Sequence, residues 1–254
     1  MQPRQRLLQR LDAIGVSLSG SSTALALLGL GSVGVETERL DAYSDLDFFV
    51  IVKPGCKPGY LTSLEWLAAV APLAYYFQNT VDGYKALFAD GIFCEFAIFE
   101  PHELASIPFT RGRVIWKDDA FDETLCVPRP RPQSEHTLEW LLGEALTNLY
   151  VGLGRFQRGE ILSGTRFIQS HAIDHVLELT SYIEPAQAQT EDIFAHERRY
   201  ELRYPQTAQY LPAFMQGYSH NIESALAILL FLEQHFEVNP AMSAAIRALC
   251  VRRE

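Results

Sequence analysis

The sequence predicts an α+β protein, with a sheet-containing domain at residues 1–126 followed by an all-α helical bundle at residues 134–254. Short apolar, strand-like runs are concentrated in the first hundred residues, whereas apolar residues at three- and four-residue spacing dominate the second half. Between the two regions, residues 127–133 alternate proline with arginine, which disfavours a helix and favours an extended connector. We therefore place the domain boundary in this Pro-rich connector.

The first domain is predicted to contain a mixed sheet of about five strands. An amphipathic helix opens the chain at residues 4–14, and we expect Gly15 to end it. The predicted strands are residues 24–30, 46–52, 73–78, 84–88 and 92–99, with a helix at 64–70. Connectors rich in Asn, Asp and Gly favour tight antiparallel turns between the last three strands. Tyr75, Tyr76, Phe77 and Phe88 are expected to lie in the core, with a base-stacking surface as the alternative.

The second domain is predicted to be a bundle of amphipathic helices. Apolar residues recur at helical spacing over residues 138–156, 162–182, a tract near 193–204, and 222–236. Each of these segments therefore has an apolar face to bury against its neighbours.

Composition and charge narrow the class of partner. The chain has 254 residues and a net charge of −10, with no run of five or more basic residues, so we expect no nucleic-acid partner. The longest apolar stretch, residues 225–232, is too short to span a bilayer, and the N-terminus lacks the apolar run of a signal peptide. Four cysteines without a CxxC pair indicate neither a zinc site nor a disulfide framework. We expect a cytoplasmic protein that acts on a small molecule or binds another protein.

A glycine-rich segment follows the first predicted strand. Gly29, Gly31 and Gly34 have the spacing of a dinucleotide-binding G-x-G-x-x-G motif. That motif requires a full helix before the next strand and an acidic residue at the far end of that strand. Here only residues 35–44 intervene, and the acidic residues stand at the start of the strand. A dinucleotide-binding unit is therefore disfavoured.

Two aspartates mark the start of the second predicted strand. Asp45 and Asp47 are two residues apart, and such residues point to the same face of a sheet. Adjacent like charges are unfavourable unless a cation lies between them. Because Mg²⁺ binds one or two carboxylates together with phosphate oxygens, the pair predicts a magnesium site. The alternative is a solvated strand entry or an Asx turn after Tyr43 and Ser44.

Further groups are predicted to join this site. Gly31 and Ser32 form a tight turn whose amides and hydroxyl could bind a phosphate, to which Arg39 could add positive charge. Glu95 interrupts an apolar strand, so its carboxylate is expected to be paired, metal-bound or protonated. Pairing with an arginine in the core is one such possibility. If the strand of Glu95 neighbours that of the aspartates, three carboxylates converge beside a phosphate-binding turn.

This pattern resembles a known superfamily. Gly31 and Ser32, a gap of twelve residues, and then Asp45-Leu46-Asp47 before an apolar strand resemble the nucleotidyltransferases related to DNA polymerase β. The segments Trp66-Leu67 and Cys94-Glu95-Phe96 make the chain look most like the lincosamide nucleotidyltransferases among antibiotic-modifying enzymes. The resemblance covers most of the chain and is strongest before residue 110.

The resemblance implies a reaction and roles for the site residues. It implies a polymerase β-like N-terminal domain that transfers a nucleoside monophosphate, AMP from ATP, to a hydroxyl of a small molecule such as an antibiotic, releasing pyrophosphate. Asp45 and Asp47 would hold two Mg²⁺ ions, and Glu95 would be general base, metal ligand or both. A homodimer is also implied.

Other interpretations remain for these and other residues. His171 and His175 have metal-ligand spacing, but no third ligand stands at a diagnostic distance, so a structural role is favoured. Residues 197–201 predict a salt-bridged helix face, with phosphate contacts by Arg198 or Arg199 as the alternative. For the whole protein, the alternatives are a non-catalytic protein that acts through partner binding or dimerisation, and a transferase directed at nucleic acid, which the charge of −10 disfavours.

Overall fold

The predicted α+β class is confirmed by the computed structural model, which describes residues 3–128, 136–187 and 195–251. The chain divides into two compact units, Met1–Pro132 and Gln133–Glu254. Every strand in the described residues belongs to the first unit, and the second unit is helical. The predicted connector at 127–133 falls mostly outside the described residues. Within the described residues, no helix has the length and apolar character needed to cross a membrane.

The first unit is built on one mixed sheet of six strands. Its elements are α1 (Pro3–Ser19), β1 (Ala24–Gly29), β2 (Leu46–Val52), α2 (Lys57–Thr62), α3 (Glu65–Ala68), β3 (Leu73–Gln78), β4 (Gly83–Phe88), β5 (Phe93–Phe99) and β6 (Arg113–Lys117). The strand order is β3-β4-β5-β2-β1-β6. The β2–β5 pair is parallel and the other four pairs are antiparallel, so the two tight turns predicted between β3, β4 and β5 are confirmed.

Alternation along the strands separates two apolar clusters on the two faces of the sheet. Leu46, Phe48 and Val50 of β2 point to the face that packs against the apolar side of α1. On the opposite face, Phe49 and Ile51 join a smaller cluster formed with residues that follow β5. Because Asp47 lies between Leu46 and Phe48, its side chain belongs to this second face.

Three expectations for the first unit are wrong. Helix α1 does not end at Gly15 but continues to Ser19. Gly15 instead allows α1 to pack closely against β6, since a Cβ there would lie 3.2 Å from the Cβ of Trp116. Strand β6 was not predicted, since it has only five residues and both its first and its last residue are charged. The aromatic side chains of β3 are exposed rather than buried, because β3 is the edge strand of the sheet.

The second unit contains seven α-helices within the described residues. They are α4 (Leu138–Gln157), α5 (Ile161–Arg166), α6 (Ala172–Leu179), α7 (Tyr200–Arg203), α8 (Leu211–Phe214), α9 (Asn221–His235) and α10 (Pro240–Leu249). The helix predicted at 162–182 is observed as α5 and α6 joined by a π-helical turn, Phe167–His171. The tract near 193–204 yields only the short α7, and its first residues lie outside the described residues. Helix α10 was not predicted.

Helix α4 approaches α5 and the π-helical turn that follows it at two glycines. A Cβ on Gly152 would lie 2.7 Å from Cγ1 of Ile168 and 2.9 Å from Cβ of Phe167, and a Cβ on Gly164 would lie 2.9 Å from the carbonyl oxygen of Gly152. Side chains at these positions would therefore push the helices apart. A Cβ on Gly154, in the same helix as Gly152, would meet no atom within 4 Å.

We expect Gly152→Ala to lower the free energy of unfolding by about 1–3 kcal/mol, because overpacking forces the backbones apart. The matched control, Gly154→Ala, should raise it by about 0.5–1 kcal/mol, because alanine favours the helix and meets no neighbour. Urea unfolding followed by far-ultraviolet circular dichroism measures both changes. Equal effects of the two variants would contradict close packing at Gly152.

Candidate active site

The central feature of the site is a row of charged side chains across three adjacent strands. Asp47 of β2 pairs with Glu95 of β5 in the parallel ladder, and Glu95 pairs with Lys85 of β4 in the antiparallel ladder. Neighbouring strands lie about 4.8 Å apart, and directly paired residues point to the same face. The fold therefore brings the predicted carboxylates of Asp47 and Glu95 side by side, with a lysine beyond them.

Asp45 lies immediately before β2, and its side chain is half-buried. An Asx turn does occur here, but it is formed by Asp41, whose Oδ1 accepts hydrogen bonds from the Tyr43 amide at 2.8 Å and the Ser44 hydroxyl at 3.1 Å. This turn directs the chain into β2. The Asx turn before β2 is thus formed by Asp41, whereas the position of Asp45 directly before the strand is consistent with the alternative of a solvated strand entry.

The predicted phosphate-binding turn lies directly against Asp47. Gly31 has φ +51° and opens a single 3-10 turn, Gly31–Val33, and the Leu30 amide donates to the carbonyl oxygen of Asp47 at 2.8 Å. A Cβ on Gly31 would lie 3.0 Å from Oδ2 of Asp47. Two features therefore favour a glycine at this position: the left-handed backbone conformation, and the nearby carboxylate, which leaves little space for a side chain.

The backbone amides of this turn are partly used by the turn itself. The Val33 amide donates to the Leu30 carbonyl and the Gly34 amide donates to the Gly31 carbonyl, both at 3.1 Å. The amides of Gly31 and Ser32 are therefore the donors of this turn that suit a phosphate. Ser32 is partly exposed, as a ligand-binding hydroxyl requires.

A side chain that the sequence did not single out braces the turn. Arg113, at the start of β6, donates from Nε to the Gly34 carbonyl and from Nη2 to the Val33 carbonyl, both at 3.3 Å. Gly112 allows β6 to approach β1, because a Cβ there would lie 2.8 Å from the Gly29 carbonyl oxygen. No sequence signal identified Arg113, since its role depends on the pairing of β6 with β1.

Arg39 lies in a second 3-10 turn, Thr37–Arg39, and forms an ion pair with Glu36 three residues earlier. Both side chains are mostly buried, with 24% of Arg39 and 16% of Glu36 exposed. The positive charge of Arg39 is thus already balanced within its own loop. Its role in nucleotide binding stays a prediction.

Glu95 is held by two side chains from the β3–β4 hairpin. Oε2 of Glu95 lies 3.1 Å from Nζ of Lys85, and Oε1 accepts a hydrogen bond of 3.0 Å from Nδ2 of Asn79. The carboxylate is 42% exposed, so it is oriented by these partners while remaining accessible. Glu95 is thus paired with a lysine and an asparagine at the surface, and the alternative of an arginine partner in the core is wrong.

The predicted metal ligands include a pair of carboxylates that suits Mg²⁺. Within residues 3–128, 136–187 and 195–251, no three His, Cys, Asp or Glu side chains form a group that could hold a metal ion. Asp45 and Asp47 still provide the two carboxylates that Mg²⁺ uses when nucleotide phosphates and water complete its coordination. The assignment of Asp45, Asp47 and Glu95 as metal ligands stays a prediction.

The electrostatic influence of the aspartates extends through the sheet. Burial raises the pKa of the Cys94 thiol to about 12, and although Arg10 opposes this shift, the negative charges of Asp47 and Asp45 add to it. Cys94 is buried on the opposite face of β5 from Glu95. A thiol of this kind is neutral and unreactive, so its role is to pack in the core.

The remaining candidates lie in the helical unit. His171 ends the π-helical turn, and the ring of His175 makes an edge contact of 5.4 Å with that of Trp140. Burial lowers the pKa of His175, which favours the neutral ring despite nearby carboxylates. These contacts support the structural role predicted for the histidines. Arg198 and Arg199 precede the short α7, so the predicted charged helix face spans only part of residues 197–201.

The contact between Gly31 and Asp47 gives a testable prediction. We expect Gly31→Ala to cost about 1–2 kcal/mol of stability, because alanine disfavours positive φ, and to weaken Mg²⁺-ATP binding by displacing the Asp47 carboxylate. Gly55→Ala is the matched control, since Gly55 has φ +80° but a Cβ there would meet no atom within 4 Å. Chemical denaturation and calorimetric titration measure the two effects. The prediction fails if both variants bind nucleotide equally.

Comparisons with known proteins give little functional information about this chain. No protein-family model matches the chain, and no curated protein sequence matches it. Among solved structures, the chain is similar to the crystal structure of an aminoglycoside 6-adenyltransferase from Bacillus subtilis, with 12% identity, coverage of 100% of this chain and 94% of that chain, and a TM-score of 0.37. Similarity at this level carries no functional argument.

Proposed function

We propose that the protein is a Mg²⁺-dependent nucleotidyltransferase that moves a nucleoside monophosphate, AMP from ATP, onto a hydroxyl of a small molecule and releases pyrophosphate. One observation carries the proposal: Asp47 lies between a glycine turn suited to phosphate and the accessible carboxylate of Glu95. The glycine turn and Asp47 form the side that binds the nucleotide, which we call the donor side. Glu95, about one strand spacing away, forms the side that meets the acceptor hydroxyl, which we call the acceptor side.

On the donor side, the protein binds and orients the triphosphate. The amides of Gly31 and Ser32 contact its phosphate oxygens, and Arg113 holds the turn in place through the Val33 and Gly34 carbonyls. Asp45 and Asp47 would hold Mg²⁺, which when bound neutralises charge on the phosphates. Side chains otherwise need only place the α-phosphorus in line with the incoming hydroxyl.

On the acceptor side, Glu95 is the general base. The acceptor oxygen forms a bond to the α-phosphorus, its proton moves to a Glu95 oxygen, and pyrophosphate leaves with the electron pair of the broken bond. Lys85 and Asn79 keep the carboxylate facing the acceptor. Their contacts hold Glu95 on the hairpin beside Asp47.

The proposal is tested first by nucleotide binding. ATP, GTP, CTP and UTP are compared, with and without Mg²⁺, in a thermal-shift assay that requires no knowledge of the acceptor. A ligand at 100 times its dissociation constant stabilises a protein by about 2.7 kcal/mol. A Mg²⁺-dependent shift with one nucleotide supports the donor site, whereas no shift with any nucleotide favours a non-catalytic protein of this fold.

Pyrophosphate release then identifies the acceptor. Hydroxylated compounds, with lincosamide antibiotics first, are screened for the ability to accelerate release from the nucleotide that binds. The sequence resemblance is the basis for choosing antibiotics, and the homodimer that it implies stays a prediction.

A further inference from the structure

The edge strand β3 exposes three consecutive aromatic side chains to solvent. Tyr75 is 57% exposed, Tyr76 is 55% exposed and Phe77 is 44% exposed. Large aromatic side chains bury 150–250 Å² when they pack. Exposing three of them on one short strand is therefore energetically unfavourable unless a bound molecule covers them. Their exposure is not explained by the folding of this unit.

Two of these aromatic side chains lie on the face of the sheet that carries the charged row. Phe77 pairs directly with Lys85 in the β3–β4 ladder, and Lys85 pairs with Glu95 in the next ladder. Tyr75, two residues before Phe77, shares its face, and the two rings are 5.9 Å apart. Tyr76 points the other way and contacts the ring of Tyr84 on the α1 side of the sheet.

With Phe77 added, the row of side chains changes from apolar at the edge strand β3 to charged on β4, β5 and β2. Phe77, Lys85, Glu95 and Asp47 occupy successive strands, so Phe77 stands about 10 Å from Glu95 and about 14 Å from Asp47 at the usual strand spacing. A small molecule of that length can rest on the aromatic rings at one end while its hydroxyl reaches Glu95. The same hairpin also supplies Lys85 and Asn79, which orient that carboxylate.

We propose that Tyr75 and Phe77 form the acceptor-binding surface, and that the acceptor carries an aromatic ring or another flat apolar face about 10 Å from the hydroxyl that is modified. This inference rests on the proposed transfer reaction. It makes the β3–β4 hairpin the determinant of acceptor specificity. A second copy of the chain paired along the β3 edge is the competing occupant, because such pairing would cover Tyr76 as well as Tyr75 and Phe77. The acceptor is favoured because Tyr75 and Phe77 share the face of the sheet that carries Glu95.

The test uses two sugars with the same hydroxyls, 4-nitrophenyl β-D-glucoside and methyl β-D-glucoside. Saturation-transfer nuclear magnetic resonance measures their binding to the full chain with Mg²⁺ and α,β-methylene-ATP. We expect a stronger saturation-transfer signal for the aryl glucoside than for the methyl glucoside. This signal should fall at least about five-fold in Tyr75→Ala and Phe77→Ala and stay unchanged in Tyr76→Ala. Tyr76→Ala removes a similarly exposed ring of the same strand on the opposite face.

Each other outcome overturns the inference in an identifiable way. If both glucosides give equal saturation-transfer signals, or if all three variants lose the signal equally, the face of Tyr75 and Phe77 does not select the acceptor. A dimer seen by light scattering that Phe77→Ala dissociates assigns the face to a second copy. If Mg²⁺-ATP fails to bind at all, the proposed function fails and the acceptor surface with it, whereas nucleotide binding without aryl preference overturns the acceptor surface alone.

Discussion

Asp47→Asn is expected to remove Mg²⁺-dependent nucleotide binding and to lower the rate of nucleotide transfer by a factor on the order of 10³. The substitution keeps the size of the side chain and removes its charge. Asp47 is the carboxylate that touches the Gly31 turn and also lies beside Glu95, so both halves of the proposed site depend on it. No other described aspartate occupies such a position.

The fold should tolerate this change. The side chain of Asp47 is only half-buried, and the substitution removes a negative charge close to Asp45 and Glu95. We therefore expect the melting temperature without ligand to stay within about 3 °C of the wild type. The thermal shift produced by Mg²⁺ and ATP should disappear.

Asp12→Asn is the matched control, because Asp12 is an exposed aspartate on α1. It makes the same chemical change without touching the site, and its nucleotide-dependent shift should equal that of the wild type. Pyrophosphate release and thermal shift are measured on both variants. A full Mg²⁺-ATP response in Asp47→Asn would remove the donor site from this face of the sheet.

The strand pattern of the sequence correctly predicted the face of β2 on which Asp47 stands. Alternation in β2 gives Leu46, Phe48 and Val50 to the core and leaves Asp47 on the other face, and this depends only on local geometry. The antiparallel turns between β3, β4 and β5 are also local and were predicted from their Asn, Asp and Gly residues. These parts of the fold follow from neighbours in the chain.

The partners of Glu95 could not be predicted in the same way. Alternation shows that Lys85 is a polar residue in an otherwise apolar strand, but which carboxylate it meets depends on the β4–β5 register. Arg113 is harder still, because its function requires β6 to pair with β1 across 84 residues of chain, from Gly29 to Arg113. Such nonlocal pairings are set by the packing of the whole unit.

The exposed rings of β3 illustrate a different limit. Aromatic residues favour strands, so the position of β3 was predicted correctly, yet strand propensity does not distinguish an edge strand from a central one. Tyr75, Tyr76 and Phe77 were therefore expected in the core, and the sheet order leaves them outside it. An exposed ring beside a charged row is a functional signal that only the assembled sheet provides.

Glu95→Gln is expected to separate the two roles left open for this carboxylate. If Glu95 is the general base, the turnover number should fall by about 10²–10⁴, because the amide cannot accept the proton. The dissociation constant of Mg²⁺-ATP should change less than about two-fold, since Glu95 binds Lys85 and Asn79 rather than the nucleotide side. Glu65→Gln, at an exposed position on α3, should change neither quantity.

Lys85 provides the complementary experiment, because its ion pair with Glu95 orients that carboxylate. Lys85 and Glu95 are 37% and 42% exposed, so breaking their ion pair in Lys85→Met should cost less than about 1 kcal/mol of stability. Turnover should fall about ten-fold through loss of orientation, with nucleotide affinity unchanged, and Lys85→Arg should restore part of it. If Glu95→Gln instead weakens Mg²⁺-ATP binding as strongly as Asp47→Asn does, Glu95 is a metal ligand, and a different group must accept the proton of the hydroxyl.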